Sequence, residues 1–481
     1  MLQDRTISKD AVVLPYYQQV SCFWSGIGVR KLRKLCGVLA AVLVMAPALA
    51  AGVRASAAQT GKPDAVSASS SSSGELYRLP AEKLRQARAL GRIRPALDFG
   101  SQVWEIAALG LLLATGGAAK LGKLAERRTR QIWLQAALFA LMLAGGLFLV
   151  VDLPFAAAGH YVSRIYGISV ESWTAWAADE AKMLGLTLAV EAPLLMLVYG
   201  LMRWRWSQRR FWAWAALMTI PLMLAGTFLL PPLIEPLFYE YEPLAKSHPA
   251  LAADLEKVVA RTGTAIPADR ILLMKASAKS NGLNAYVSGF GASKRIVVWD
   301  TTADRMPEDE ILFTFAHETG HYVLLHIPKG LGLASVGVFL LFGLTAALAQ
   351  WMLRRFGEGW RIAENESLPE LPKLVVLLLA LSIMQFLSEP ISAGISRHFE
   401  HEADVYGLEA MHGLVANPRQ TAVRAFSQLG EAYLDDPEPN AFVVFWSYDH
   451  PSIQQRTRFA AEYDPWRSGG KPQFFPVDGG R

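Results

Sequence analysis

Cysteine is nearly absent: the 481 residues contain two, Cys22 and Cys36, both close to the N-terminus. The body of the chain can therefore build neither a disulfide framework nor a thiolate metal site, and any metal must take histidine and carboxylate ligands. Charge is scarce as well. Asp, Glu, Lys and Arg make up 19% of the residues against 52% hydrophobic, where soluble domains carry about 25% charged residues. That balance excludes a disordered chain and an ordinary soluble enzyme, and points to a membrane protein. The formal net charge of +5 lies largely in short arginine-rich loops between apolar runs. Nucleic acid is thus not an implied partner, whereas the lipid bilayer is.

What is present begins with Arg30, Lys31, Arg33 and Lys34, then the apolar run Leu35–Ala46 and an A-x-A site at Ala48-Leu49-Ala50. Residues 1–50 have the layout of a bacterial-type secretory signal peptide or an uncleaved first span. Region 51–100 holds a Ser-rich linker (Ser67–Gly74) and, over 76–98, a basic amphipathic segment suited to lie on the membrane or pack on the bundle. Apolar runs near 102–119, 132–155, 183–202, 211–234, 331–353 and 373–393 approach or exceed the roughly 20 residues a bilayer requires. The first four make an N-terminal membrane domain, 101–234, and the last two fill 331–393. Glu191 in the third run faces either a wet interior or a helix-helix contact. Between these groups, 235–330 reads as a soluble insert; 394–464 reads as its C-terminal part, followed by a loose tail, 465–481.

Within the insert, Leu251–Arg261 has a helical pattern. Arg270–Met274, Ala285–Phe290 and Arg295–Trp299 read as strands, the last two joined as a hairpin through Gly291-Ala292-Ser293-Lys294. The next helix opens with Pro307 and the acids Glu308, Asp309 and Glu310, which complement the positive end of its dipole. On it lies His317-Glu318-Thr319-Gly320-His321, an HExxH sequence. Two histidines four apart project from one helical face, so both imidazoles reach one tetrahedral Zn²⁺, and the adjacent Glu318 is placed to take a proton from a zinc-activated water. With nine histidines in the chain, composition alone yields such a motif with a chance on the order of one per cent, so a third ligand is required. Downstream candidates are Glu400, Glu402, His398 and His401, and chemistry favours a glutamate. Glu400 and Asp404 share a helical face, which lets Asp404 accept the outer N–H of a ligand histidine if Glu400 meets the metal. His326 reads as structural.

HExxH, two apolar spans and then Ser396-Arg397-His398-Phe399-Glu400-His401-Glu402-Ala403-Asp404 resemble the integral-membrane zinc CAAX prenyl protease family (type I). Asp152-Leu153-Pro154-Phe155, Pro232–Leu244, Asn284-Ala285-Tyr286 and His450-Pro451 are similar to further motifs of that family. The resemblance implies one Zn²⁺ per chain on His317, His321 and Glu400, with Glu318 as general base and Asp404 behind the ligands. It further implies peptide binding by Asn284 and the strand through Ala285 and Tyr286, and oxyanion stabilisation by His450 together with Arg456. The chain departs from the pattern at Tyr239 and at Gly282-Leu283, which leaves the metal chemistry untouched and bears on the substrate.

The expectation is a multispanning α-helical membrane protein with an α+β zinc metalloprotease domain, acting on a peptide or a membrane protein, prenylated in the family resembled. One alternative is a membrane quality-control metalloprotease; another, of a different class, is a non-catalytic membrane scaffold or transporter. Two spans separate His321 from Glu400, so both metal-binding segments fall on one side. The basic loops, such as Arg203–Arg210 and Arg354–Arg361, belong in the cytoplasm by the positive-inside rule, which puts the insert outside a bacterial inner membrane; the family resemblance implies a cytosolic catalytic domain.

Overall fold

The computed structural model describes residues 76–204, 210–228, 231–264, 266–288, 294–362, 371–467 and 471–475. The expected leader, the Ser-rich linker and the tip of the expected hairpin lie outside them.

Helix α1 (Ala81–Ala114) runs unbroken through Pro95, so the expected amphipathic segment and first span are one helix. Its basic half does not lie on a lipid surface. Lys83 meets Glu431 at 2.5 Å, Arg88 meets Glu438 at 3.0 Å, and Arg94 donates to the Tyr433 carbonyl at 2.8 Å. The helix stops at Ala114, short of the expected 119, because Gly116 turns the chain with φ 67° into α2 (Gly117–Arg128); a residue with a Cβ adopts that conformation only at a cost. Helix α3 (Ile132–Leu147) continues through a π-turn at Phe148–Asp152 into α4 (Leu153–Ile165). Then come α5 (Trp173–Arg203) and α6 (Phe211–Phe228).

The sheet-bearing part follows, with β1 (Tyr241–Pro243), α7 (Pro249–Thr262), β2 (Ile271–Met274), β3 (Ala285–Ser288), β4 (Arg295–Trp299) and α8 (Asp300–Arg305). Helix α9 (Glu308–Val323) bears the HExxH motif; α10 (His326–Phe356) and α11 (Pro372–Ala410) are long and apolar, and α12 (Pro418–Tyr433), α13 (Ala441–Ser447) and α14 (Ile453–Glu462) close the chain. Among the described residues six helical units are long and apolar enough to cross a membrane: α1, α3 with α4, α5, α6, α10 and α11. Helix α10 presents Val336, Leu340 and Leu344 outward, each at least 59% exposed. Leaving one such side chain in water forgoes roughly 1.5–3 kcal/mol, which makes this stripe a lipid-facing surface.

The strand order is β1-β2-β4-β3, with β2 and β4 parallel and the outer pairs antiparallel. The pairing of β3 with β4 is the expected one. Strand β1 was not anticipated: three residues ending in Pro243 carry too little pattern, and the strand exists because its register against β2 pairs Tyr241 with Met274. One sheet face packs Ile271, Leu273, Ile296 and Val298 against Leu255 of α7 and Ile311 and Phe315 of α9. That packing seats the HExxH helix on the sheet.

Two glycines then let α11 lie close against α9. A Cβ at Gly407 would sit 3.2 Å from the His317 Cα, and one at Gly320 would sit 3.0 Å from the Tyr406 ring. Small residues at both contact points allow the backbones an approach that larger side chains would block. The expected loose tail is corrected in part. The backbone amides of Gln473, Phe474 and Phe475 donate to the buried Glu409 carboxylate at 2.7, 2.7 and 3.1 Å, and the two Phe rings lie against Tyr406. A carboxylate that is 0% exposed must collect such donors, and the tail supplies them.

Candidate metal and catalytic site

Helix α9 projects His317 and His321 from one face, and α11 brings Glu400 to meet them. His317 Nε2 lies 3.2 Å from His321 Nε2 and 3.3 Å from Glu400 Oε2, and His321 Nε2 lies 3.3 Å from Glu400 Oε1. A tetrahedral ion with bonds of about 2.0–2.1 Å holds its ligand atoms about 3.3–3.4 Å apart, so this triangle has the dimensions of a metal site. Glu400 is 4% exposed, and its Oε2 makes no hydrogen bond. An acceptor of that kind is costly in a protein interior unless a cation faces it. Among the described residues, these three form the one such His/carboxylate group.

Behind the first histidine, Asp404 Oδ1 lies 2.9 Å from His317 Nδ1. Arg456 grips the same carboxylate in a two-point fork, Nε to Oδ2 at 3.0 Å and Nη2 to Oδ1 at 2.6 Å, with its guanidinium over the Phe426 ring. Burial alone would push the His317 imidazole down, but the Asp404 and Glu400 carboxylates beside it outweigh that and raise it to about 9. Arg456, expected as an oxyanion or substrate group, borders the cavity while directing Nε and Nη2 at Asp404, and its Nη2 also lies 3.4 Å from His317 Nδ1. Position 456 follows from a capping box at Ser452 and Gln455, which starts α14 and turns Arg456 inward.

A cavity of about 650 Å³ opens between α1, α4, α5 and α11 on one side and the sheet domain on the other, bordered by His317, Glu318, His450, Asn284, Ala285 and Arg456. Glu191 is not part of that lining. Glu318 is 7% exposed. His450 reaches Glu400 Oε1 with Nε2 at 3.2 Å and Asp449 with Nδ1 at 2.7 Å. Burial would lower its imidazole, but the Glu400 and Asp449 carboxylates outweigh that and raise it to about 9. Asn284 precedes edge strand β3, and its backbone is held by Thr302 and Trp299. Strand alternation separates the next two residues. Ala285 borders the cavity, whereas Tyr286 turns its hydroxyl to Glu235 and Met274 on the far face. The Tyr286 side chain is therefore part of the core, and only its backbone is available at the edge.

Hydropathy gave no sign of one wall of the cavity. The loop between α4 and α5 pairs with the segment before Asn284: Val170 donates to the Lys279 carbonyl at 3.0 Å, and Asn281 donates to the Ile168 carbonyl at 2.8 Å. Lys279 bridges Asp179 and Glu171 there. These partners are 100 or more residues apart, and no local pattern announces them.

Residues 245–464 match the model of peptidase family M48, and residues 74–240 match the model described as CAAX prenyl protease N-terminal, five membrane helices. The chain is similar to the uncharacterized metalloprotease YhfN of Bacillus subtilis, 32% identical over 359 residues, which span 73% of this chain and 79% of that one. It is 26% identical over 326 residues to CAAX prenyl protease 1 of Saccharomyces cerevisiae, spanning 65% and 69%. In three dimensions it resembles the crystal structure of S. mikatae Ste24p with a TM-score of 0.68 at 21% identity, over 89% of this chain and 100% of that one. This last likeness bears on the fold.

Proposed function

Because the chain belongs to peptidase family M48 and is a membrane metalloprotease of the CAAX prenyl protease kind, we propose that it hydrolyses peptide bonds with one zinc ion held by His317, His321 and Glu400. The observation that carries this reading is the ligand triangle, with sides of 3.2, 3.3 and 3.3 Å around a hydrogen-bond-free carboxylate oxygen. Zinc held there supplies Lewis acidity and lowers the pKa of a water from 15.7 to about 7. Glu318 takes a proton from the attacking water and returns one to the departing amine, a role worth about 10²–10⁴-fold in rate. His450, which borders the cavity beside Glu400, stabilises negative charge on the scissile carbonyl oxygen. Asp404, clamped by Arg456, orients the His317 ring. Asn284 and the outer edge of β3 hold the substrate extended by strand addition.

The substrate we infer is the C-terminal peptide of a membrane-associated protein, prenylated as the name of the yeast relative indicates for its own substrates. The cavity supports this reading, since Trp176, Phe238 and Leu283 border it beside the polar groups and suit an apolar chain next to a peptide. The test is cleavage of a farnesylated CAAX peptide and its unprenylated twin by purified wild type and Glu318→Gln, with zinc measured in both proteins. We expect about one zinc per chain in each and a loss of cleavage in the variant of at least 10²-fold. Preference for the farnesylated peptide supports the substrate class, and equal cleavage of the two would replace it with membrane-protein quality control. Cleavage undiminished in Glu318→Gln would overturn the mechanism.

For orientation we propose that the metal site faces the periplasm across a bacterial inner membrane. Helix α10 starts at the metal site with His326 and carries Arg354 and Arg355 in its last turn, about 40 Å away at 1.5 Å per residue. Arg203 likewise ends α5, and such basic ends favour the cytoplasm. Thiol labelling of single cysteines placed at Arg354 and at Asp269 decides it; labelling of the first from outside intact cells would reverse the assignment and match the cytosolic side implied by the family resemblance.

A further inference from the structure

The two histidines of the HExxH motif are supported differently. Asp404 lies against the outer nitrogen of His317, but among the described residues no carboxylate lies against the outer nitrogen of His321. Its Nδ1 meets the Nδ1 of a third histidine, His326, at 3.0 Å, and the Nε2 of His326 meets Glu402 Oε2 at 3.0 Å. His326 is 4% exposed and lies flat on the Phe399 ring, with centroids 4.5 Å apart and planes 8° from parallel. Resting on the metal-site reading above, we propose that His326 is a positioning residue for the metal: it holds the ring plane and tautomer of His321 and is itself held by Glu402 and Phe399.

The hydrogen bookkeeping along the chain is consistent. His321 turns Nε2 toward the other two ligands, so as a neutral ligand it carries its hydrogen on Nδ1. That hydrogen needs an acceptor, and the facing His326 Nδ1 is one only if His326 carries its own hydrogen on Nε2. Glu402 accepts from that Nε2 position. Each ring thereby fixes the tautomer of the next, ending on an acid that is 31% exposed.

The backbone at this point is shaped to present the ring. Helix α9 ends at Val323, and Leu325 adopts φ 58°, ψ 36° before His326 opens α10. A left-handed conformation at a non-glycine residue is uncommon and strained. Here it reverses the chain so that the first residue of a membrane-spanning helix packs back under a metal ligand. Phe399 and Glu402 flank Glu400 on α11, so the same turn of helix supplies the third ligand and both supports of His326. The site is thus tied to the starts and ends of two membrane helices, and not to the soluble domain alone.

The experiment compares zinc affinity, by competition with a chelator, and the visible spectrum of the Co²⁺-loaded full-length protein in detergent, for wild type, His326→Phe and His326→Asn. Phenylalanine keeps the stack on Phe399 and removes the acceptor; asparagine restores a carbonyl oxygen close to the position of Nδ1. We expect His326→Phe to bind zinc 10- to 100-fold more weakly with a shifted Co²⁺ band, as loss of an outer-shell partner does, and His326→Asn to recover most of the loss. Affinity of His326→Phe within threefold of wild type, or an asparagine variant as weak as the phenylalanine one, would overturn the proposal. Should His326→Phe fail to fold, Glu402→Ala decides: several-fold weaker binding supports the relay, and unchanged binding overturns it. Wild type that binds no zinc would instead sink the metal-site reading itself, a separate outcome.

Discussion

The floor and the wall of the cavity are built on opposite plans. On the floor His317, Glu400, Asp404 and Arg456 are each no more than 8% exposed, and their polar atoms are directed at one another. Along the wall, β3 lies at the edge of the sheet, and Asn284 and the buried Ala285 border the cavity. A floor of this kind over-determines ligand positions, as a metal site requires, because a buried charge left unpartnered is costly. An open strand edge keeps main-chain donors and acceptors for a partner, which gives affinity for any extended peptide with little dependence on sequence. The difference separates metal chemistry from substrate choice, and each can be perturbed without the other.

The largest effect should come from breaking the floor. Asp404→Ala leaves the Arg456 guanidinium buried without its carboxylate and frees the His317 ring; we expect a stability loss of about 3–5 kcal/mol, read by detergent-compatible thermal or denaturant unfolding. Next is His450→Ala, which sits between floor and wall. It should lower kcat by about 10²–10³-fold, close to the cost of losing one oxyanion donor, with zinc content retained, as single-turnover kinetics on metal-replete protein would show. Gly407→Ala wedges a methyl group against the His317 backbone and should cost about 1–3 kcal/mol in stability while weakening zinc binding, because the neighbouring atoms at 3.2 Å are backbone and cannot swing away. The smallest effect belongs to the wall. Asn284→Ala should reduce kcat/KM about tenfold, as one lost polar contact of about 1–1.5 kcal/mol does, and leave zinc affinity unaltered. Zinc loss in Asn284→Ala as large as that in Asp404→Ala would dissolve the distinction between floor and wall.

Much of this is legible in the sequence. The motif His317-Glu318-Thr319-Gly320-His321 encodes its own geometry, since a spacing of four on a helix needs no tertiary information. The apolar runs foretold six helices able to cross a membrane, and the pairing of Ala285–Ser288 with Arg295–Trp299 followed from alternation and a turn signal. What misled was continuity. The basic segment over 76–98 and the first apolar run are one helix, because no residue between them breaks α1 and Pro95 is accommodated. Of the two placements open to that composition, on the membrane or packed on protein, the acids Glu431 and Glu438 opposite it select packing. Tyr286, singled out beside Asn284, falls on the core face because strand alternation turns neighbouring side chains in opposite directions.

By itself the sequence determined the candidate ligand types, the helix that carries the two histidines, and the membrane setting, since each depends on composition or on residues within one turn. Only the tertiary structure decided which acid meets the two histidines, which partner Arg456 takes, and how close α9 and α11 approach. Those outcomes rest on contacts between residues 52 to 139 positions apart. Gly320 and Gly407 show the reason most plainly. Each is unremarkable in its own helix and acquires meaning only when the other helix lies against it, because packing at close range depends on the facing surface and not on the local chain.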